Sequence, residues 1–141
     1  MSDITLSQLV RPRPQLTLFA ARQMVKHALV TAVKQQQSVS VAVVDIHGGL
    51  IAFARDDNAS GVTINAAIEQ ARAAVQLGSP SRVLASGCHR DRPHFPPTPD
   101  VSSLQGGVAV VIDGQSVGAV GVSGARDGDT ELATSAAMLF S

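Results

Sequence analysis

The chain has no tryptophan, no tyrosine, four phenylalanines and one cysteine. A single cysteine excludes an internal disulfide framework. The shortage of aromatics removes the stacking surface on which single-stranded nucleic acid is held, and eleven basic residues against eleven acidic ones leave no basic footprint. Nucleic acid is therefore set aside as a partner. No apolar run approaches the roughly 20 residues needed to cross a bilayer. The opening MSDITLSQLV lacks the basic and apolar regions of a secretory signal. The expectation is a soluble cytoplasmic chain with no membrane partner.

What is present is 141 residues, 45% of them apolar and many of those alanine or valine, enough for one domain with a core of small and branched side chains. Charge is unevenly placed. Residues 1–40 carry five basic groups and one acid, whereas the remainder carries ten acids and six arginines. A solvated basic helix face, or its docking on an acidic face of a second subunit, accounts for this pattern.

After RPRP, the three- and four-residue recurrence of Leu18, Ala21, Val25, Ala28, Leu29 and Ala32 predicts a helix over 17–36, begun by Thr17 or Gln15. The β-branched run 39–46, the turn HGG and the return 50–55 predict a hairpin. An alanine-rich helix follows over about 62–77 and is stopped by Gly78, Ser79 and Pro80, with SRVLAS as a short helical turn beyond it. GGVAVVID and QSVGAVGVSG form a second hairpin around Asp113-Gly114, the strongest short turn signal in the chain. Asp127, Asp129 or Thr130 then opens a final helix. Hairpins joined by helices predict an α+β fold, an antiparallel sheet with helices packed on it.

Two of these segments also carry a resemblance. SVSVAVVDIHGGLIAFARDD and GGVAVVIDGQSVGAVGVSGA, with the alanine-rich helix between them and the acidic final helix, resemble the GlcG/HbpS family, which includes haem-binding HbpS proteins and the C-terminal domain of PduO. The likeness runs from about Leu16 to Phe140 and leaves 1–15 as an N-terminal extension to a domain over 16–141. It implies a profilin-like sheet of four to five strands flanked by helices, self-association into dimers or larger rings, and a small-molecule ligand that in some members is haem. The chain departs from the family pattern at Gln70, where a lysine is common, and in SGCHRDRPHFPPTPD, residues 86–100.

That stretch holds Cys88, His89 and His94, ligand types suited to soft or borderline metals and to haem iron. Structural zinc wants four ligands, and the stretch offers three at most. Its prolines favour one fixed conformation, a lid or a stiff surface loop. His89, His94 and, on the polar face of the first long helix, His27 are the candidate ligands to haem iron. His47 in the DIHGG turn reads as a turn residue. Arg55 and Asp57 leave the second strand together. Arg55 could grip a carboxylate in a two-pronged bond and Asp57 could orient it or act as general base; a salt bridge, with Asp57 or Asn58 capping the next helix, is the plainer reading. Ser123 and Gly124, at the end of the last strand, could admit an anion or another backbone. Two functions follow. The first is an oligomeric ligand-binding protein with haem or another small planar or anionic compound beneath the Cys/His/Pro loop, with Arg55, Asp57, His89, His94, Ser123 and Gly124 around it. The second is a small catabolic enzyme acting on a carboxylated intermediate, with Arg55, Asp57 and Cys88 as its catalytic set. An assembly protein without a ligand is the third possibility.

Overall fold

The computed structural model describes residues 3–91 and 105–141, and the side chains of all of these except 78–91. A short helix, α1 (Leu6–Leu9), precedes α2 (Leu18–Lys34). Thr17 starts α2 by accepting the Ala20 N–H on its hydroxyl at 3.1 Å, which satisfies one of the amide donors a helix start leaves free. The buried face of α2 is Ala21, Met24, Val25, Ala28 and Ala32; Leu18, which the periodicity placed on it, is exposed at the helix start.

β1 (Ser40–Asp45) and β2 (Leu50–Arg55) make the first hairpin, and β3 (Gly107–Ile112) and β4 (Gln115–Ser123) the second. β1 pairs antiparallel with β4, giving one four-stranded sheet in the order β2-β1-β4-β3. The α+β, antiparallel architecture is as the sequence implied. α4 (Asp129–Ala137) follows a 3₁₀ turn at Arg126–Gly128.

The alternation of β1 decides the layers. Val41 and Val43 face α2 and α4 in the larger core, with Val120, Val122, Met24 and Leu132. Ala42 and Val44 face the opposite way, against Ala67, Ala71 and Ala74 of α3 (Val62–Asp91). Beneath α3 the sheet carries mostly glycine and alanine. Ala42 pairs with Gly121, and Gly121 with Gly107. A Cβ built on Gly121 would overlap the carbonyl oxygen of Ala67, and one on Gly107 would overlap that of Gln70. Small residues on both surfaces therefore let the helix backbone settle directly onto the sheet.

α3 is longer than the sequence suggested. Gly78, Ser79 and Pro80 do not end it, although glycine and proline disfavour a helix interior by about 1 and 3 kcal/mol. Ser79-Pro80 is also a helix-start pattern, and the stop and start signals coincide. The alanine-rich helix and the SRVLAS turn thus run together. The helix is described as far as Asp91. No described helix is long and apolar enough to cross a membrane.

Candidate functional site

At one end of the sheet, Ser40 on β1 pairs with Arg55 on β2 and with Ser123 on β4. Directly paired residues project from the same face, so Arg55, Ser40 and Ser123 form a polar row under the first turn of α3. Thr63 comes down to meet it. Its hydroxyl donates to Ser60 O at 2.6 Å and lies 2.7 Å from Ser40 Oγ, with both residues buried. Thr63 has one hydroxyl hydrogen, already committed to Ser60, so Ser40 is the donor in the pair.

Arg55 and Asp57 are both exposed at the exit of β2. Gly61 leaves room for Arg55: a Cβ there would sit 3.7 Å from the Arg55 Nη1. The turn into α3 is held by other residues than expected. Asp56 Oδ1 accepts the Asn58 N–H at 3.0 Å, and Ser60 Oγ accepts the Val62 N–H at 3.3 Å. The capping role read for Asp57 or Asn58 therefore belongs to Asp56 and Ser60, whose oxygens meet free amides at this turn.

Gly124 has φ +123°, and a Cβ there would come within 2.6 Å of Ser38 O, so the end of β4 needs glycine to pass the loop after α2. Between these elements opens a cleft of about 600 Å³ whose lining includes Ser38, Asn58, Ser60, Thr63, Gly124 and Arg126. Arg126 is its cation, and no carboxylate is among its described lining residues. Hydroxyls, amides and one guanidinium suit a small polar or anionic group. Of the residues singled out in the sequence, Gly124 lines the cleft, while Arg55, Asp57 and Ser123 lie at the same end of the sheet and are not among its described lining residues. Arg126, Ser40 and Thr63 were missed. A serine at the start of a β-branched strand and a threonine at the start of a helix carry no local signal that they meet.

A second, more apolar groove of about 330 Å³ lies between α2 and β2. Val25, Leu29, Ala52 and Phe53 help to line it, and Arg22 and Lys26 supply cations. Its floor is apolar and two cations stand beside it. None of the described histidines lines it.

His27 is half-buried against α4, its Nε2 2.6 Å from Ser135 Oγ, and so faces its own chain and not open solvent. His47 is exposed in the β1–β2 turn, where its N–H, with that of Gly49, donates to Asp45 Oδ1 at 2.8 Å. The Gly49 bond leads in holding the Asp45 carboxyl below its ordinary pKa. Arg72 Nε donates to Gly48 O at 2.9 Å and ties this turn to α3.

Cys88 and His89 fall in the last turn of α3, and their side chains lie outside the description. His94 and the rest of the proposed lid, 92–100, lie outside the described residues. Cys88 is 26 residues beyond Val62, about 39 Å along a straight helix at 1.5 Å per residue. A single site joining Arg55, Asp57 and Cys88 of one chain does not follow from this backbone. Among the described residues, no group of three or more His, Cys, Asp or Glu is placed to hold a metal ion.

Near the start of β3, Gln70 Oε1 is buried with no hydrogen-bond partner among the described residues. A Cβ on Gly106 would lie 2.7 Å from it and 3.1 Å from Asp129 Cβ. Asp129 accepts the Ala125 N–H at 2.7 Å, yet burial pushes its carboxyl above the ordinary value.

Comparison with known proteins places this architecture. The family described as "Haem degrading protein HbpS-like" matches residues 16–138. Protein GlcG of Escherichia coli (strain K12) is 39% identical over 92 residues, 65% of this chain and 69% of that protein. The crystal structure of HbpS superimposes with TM-score 0.78 at 31% identity, covering 94% of each chain. The crystal structure of a PduOC–haem complex superimposes with TM-score 0.69 at 25% identity, covering 89% of this chain and 94% of the other.

Proposed function

The chain belongs to the HbpS-like family, and from that premise we propose that it is a cytoplasmic, self-associating protein that binds a small ligand, and that the ligand is haem. The observation that carries the reading is the apolar groove between α2 and β2 with Arg22 and Lys26 beside it, in a chain whose fold is shared by a haem complex. The groove would cover one face of the porphyrin, with Arg22 and Lys26 toward the propionates. Iron in this groove would take a histidine from His89 or His94, with the stretch 86–100 closing the site, because His27 turns toward Ser135 of α4 and does not line the groove. Bound haem would supply redox-active iron; this chain's residues would seat it, neutralise its carboxylates and exclude water.

Hemin titration of metal-free protein, followed by absorbance, tests this. A saturable Soret shift is expected, lost in His89→Ala or His94→Ala, kept in His27→Ala, and weakened several-fold by Arg22→Ala with Lys26→Ala. A featureless titration, identical in every variant, removes haem from the reading.

A second reading is favoured by the polar cleft lined by Ser60, Thr63 and Arg126, at the end of the sheet where Arg55 leaves β2: a catabolic enzyme or binder for a small carboxylate, with Arg55 as its anchor and Arg126 as a second cation. It predicts that carboxylated intermediates raise the melting temperature of the wild type and not of Arg55→Ala.

A further inference from the structure

Every residue from 3 to 15 is exposed in the described protomer. α1 is a single turn whose start is tied by the Thr5 N–H donating to Gln8 Oε1 at 2.7 Å and the Gln8 N–H donating to Thr5 O at 3.0 Å. Yet none of its residues is buried. Ile4, Leu6, Leu9 and Val10 are 62%, 73%, 68% and 56% exposed, four large apolar side chains on one short segment. Single exposed apolar residues are ordinary, but a cluster on an ordered element marks a surface that something else covers.

The segment behind α1 is Val10-Arg11-Pro12-Arg13-Pro14-Gln15, which has no helix or strand, and Leu16 is the first buried anchor. Proline fixes its own φ and holds the preceding residue extended, so this is a stiff strut of roughly 19 Å at about 3.1 Å per residue. At its base lies an open groove of about 320 Å³ formed by Leu16, Ala20, Ile112 and Val117, with Asp113 of the β3–β4 turn beside it. The strut itself, from Pro14 to Thr17, builds one wall of that groove. No residue of α1 lines that groove in its own protomer.

We propose that α1 of one copy docks in this groove of a second copy, and reciprocally, so that the protein associates by exchanging N-terminal arms. Leu6 and Leu9 meet the apolar floor, and Arg11 and Arg13 face the partner's Asp113. The local charges fit this occupant: Arg11 and Arg13 are the arm's cations, and Asp113 is the carboxylate among the groove's described lining residues. A lipid surface fits less well. The cations sit on the strut and not on α1, and a helix of four residues is too short to lie along a bilayer. The stiff strut also lowers the ordering cost of docking, and exchange of an element between identical chains is a low-cost route to a symmetric assembly. The inference rests on the self-association proposed above and specifies its contact.

Sedimentation equilibrium of the full chain tests it, with Leu6→Glu/Leu9→Glu as the variant and far-UV circular dichroism to check the fold. The affected side chains are exposed in the protomer, so the variant should fold as the wild type does. Its mass is expected to fall by one assembly step, with a dissociation constant raised at least about 100-fold for the loss of two buried leucines. Arg11→Glu/Arg13→Glu should weaken assembly several-fold, less so at high salt. A variant that keeps the wild-type mass overturns the arm exchange and leaves self-association standing. A monomeric wild type at about 100 μM overturns both. A monomer that co-sediments with anionic phospholipid vesicles overturns them in favour of a lipid partner. Should the double variant misfold, deletion of residues 3–10 gives the same reading.

Discussion

Replacing Gly121 by alanine tests how α3 meets the sheet. The added Cβ would overlap Ala67 O and lie 2.7 Å from Ala71 N and 3.0 Å from Ala71 Cβ. Two of these three neighbours are helix backbone atoms, so no flexible side chain can swing aside. α3 must lift by about 1 Å or the strand must sink into a closely packed core. Overpacking of this kind costs about 1–3 kcal/mol, and a backbone obstacle puts Gly121→Ala near the upper end. For a domain of this length, about 3 kcal/mol corresponds to a fall of roughly 10 °C in melting temperature. Gly107→Ala, which meets Gln70 O, should behave alike, whereas Gly128→Ala meets only Ala125 Cβ at 3.6 Å and should stay within about 0.5 kcal/mol of wild type. Without tryptophan or tyrosine the assay is urea or thermal unfolding followed by far-UV circular dichroism. A Gly121→Ala protein as stable as Gly128→Ala would refute the claim that the glycine row sets the helix–sheet distance.

Other consequences are open to the same assay. Thr63→Val leaves the buried Ser40 hydroxyl without its acceptor and should cost about 1–3 kcal/mol, while adding Ser40→Ala should recover part of that loss; strictly additive losses would show the pair to be uncoupled. Asp45 and Asp129 should give opposite pH trends. Asp45 is shifted down, so its contribution is present above the ordinary aspartate value and is lost as pH falls below about 4 through the folded value. The penalty of Asp45→Asn should therefore shrink at low pH. Asp129 is shifted up by burial, so its contribution is full below about 4 and is lost as pH rises through the folded value. Asp129→Asn, which can still accept the Ala125 N–H, should gain on wild type from pH 3 to pH 7. Parallel pH profiles for the two variants would contradict both assignments.

Both hairpins were legible because their signals are local: β-branched runs bounded by HGG and by Asp113-Gly114. Thr17 as the start of α2 was legible for the same reason. What stayed hidden depends on partners distant in sequence. The spacing of Gly118, Gly121 and Gly124 shows close approach but not what approaches; at Gly121 it is the α3 backbone, and at Gly124 the loop after α2. The run of α3 through Pro80 was obscured because one tripeptide both stops and starts a helix. In the candidate site, Arg55, Ser123 and Gly124 could be named from strand ends, whereas Ser40 joins Ser123 only because β1 pairs with β4.

That pairing has a consequence for divergence. The β1–β4 seam joins Asp45 to Gly118 and Ser40 to Ser123, residues 73 and 83 positions apart (118 − 45 and 123 − 40). Loop-closure entropy grows only logarithmically with length, about 0.6 kcal/mol per doubling, so ten extra residues inside so long a loop change its closure by only ~0.1 kcal/mol. The connection between α3 and β3 can therefore lengthen, shorten or be replaced with almost no penalty to sheet closure. One scaffold can accept many grafts there, and descendants of a common ancestor can acquire different specificities at that position without rebuilding the sheet.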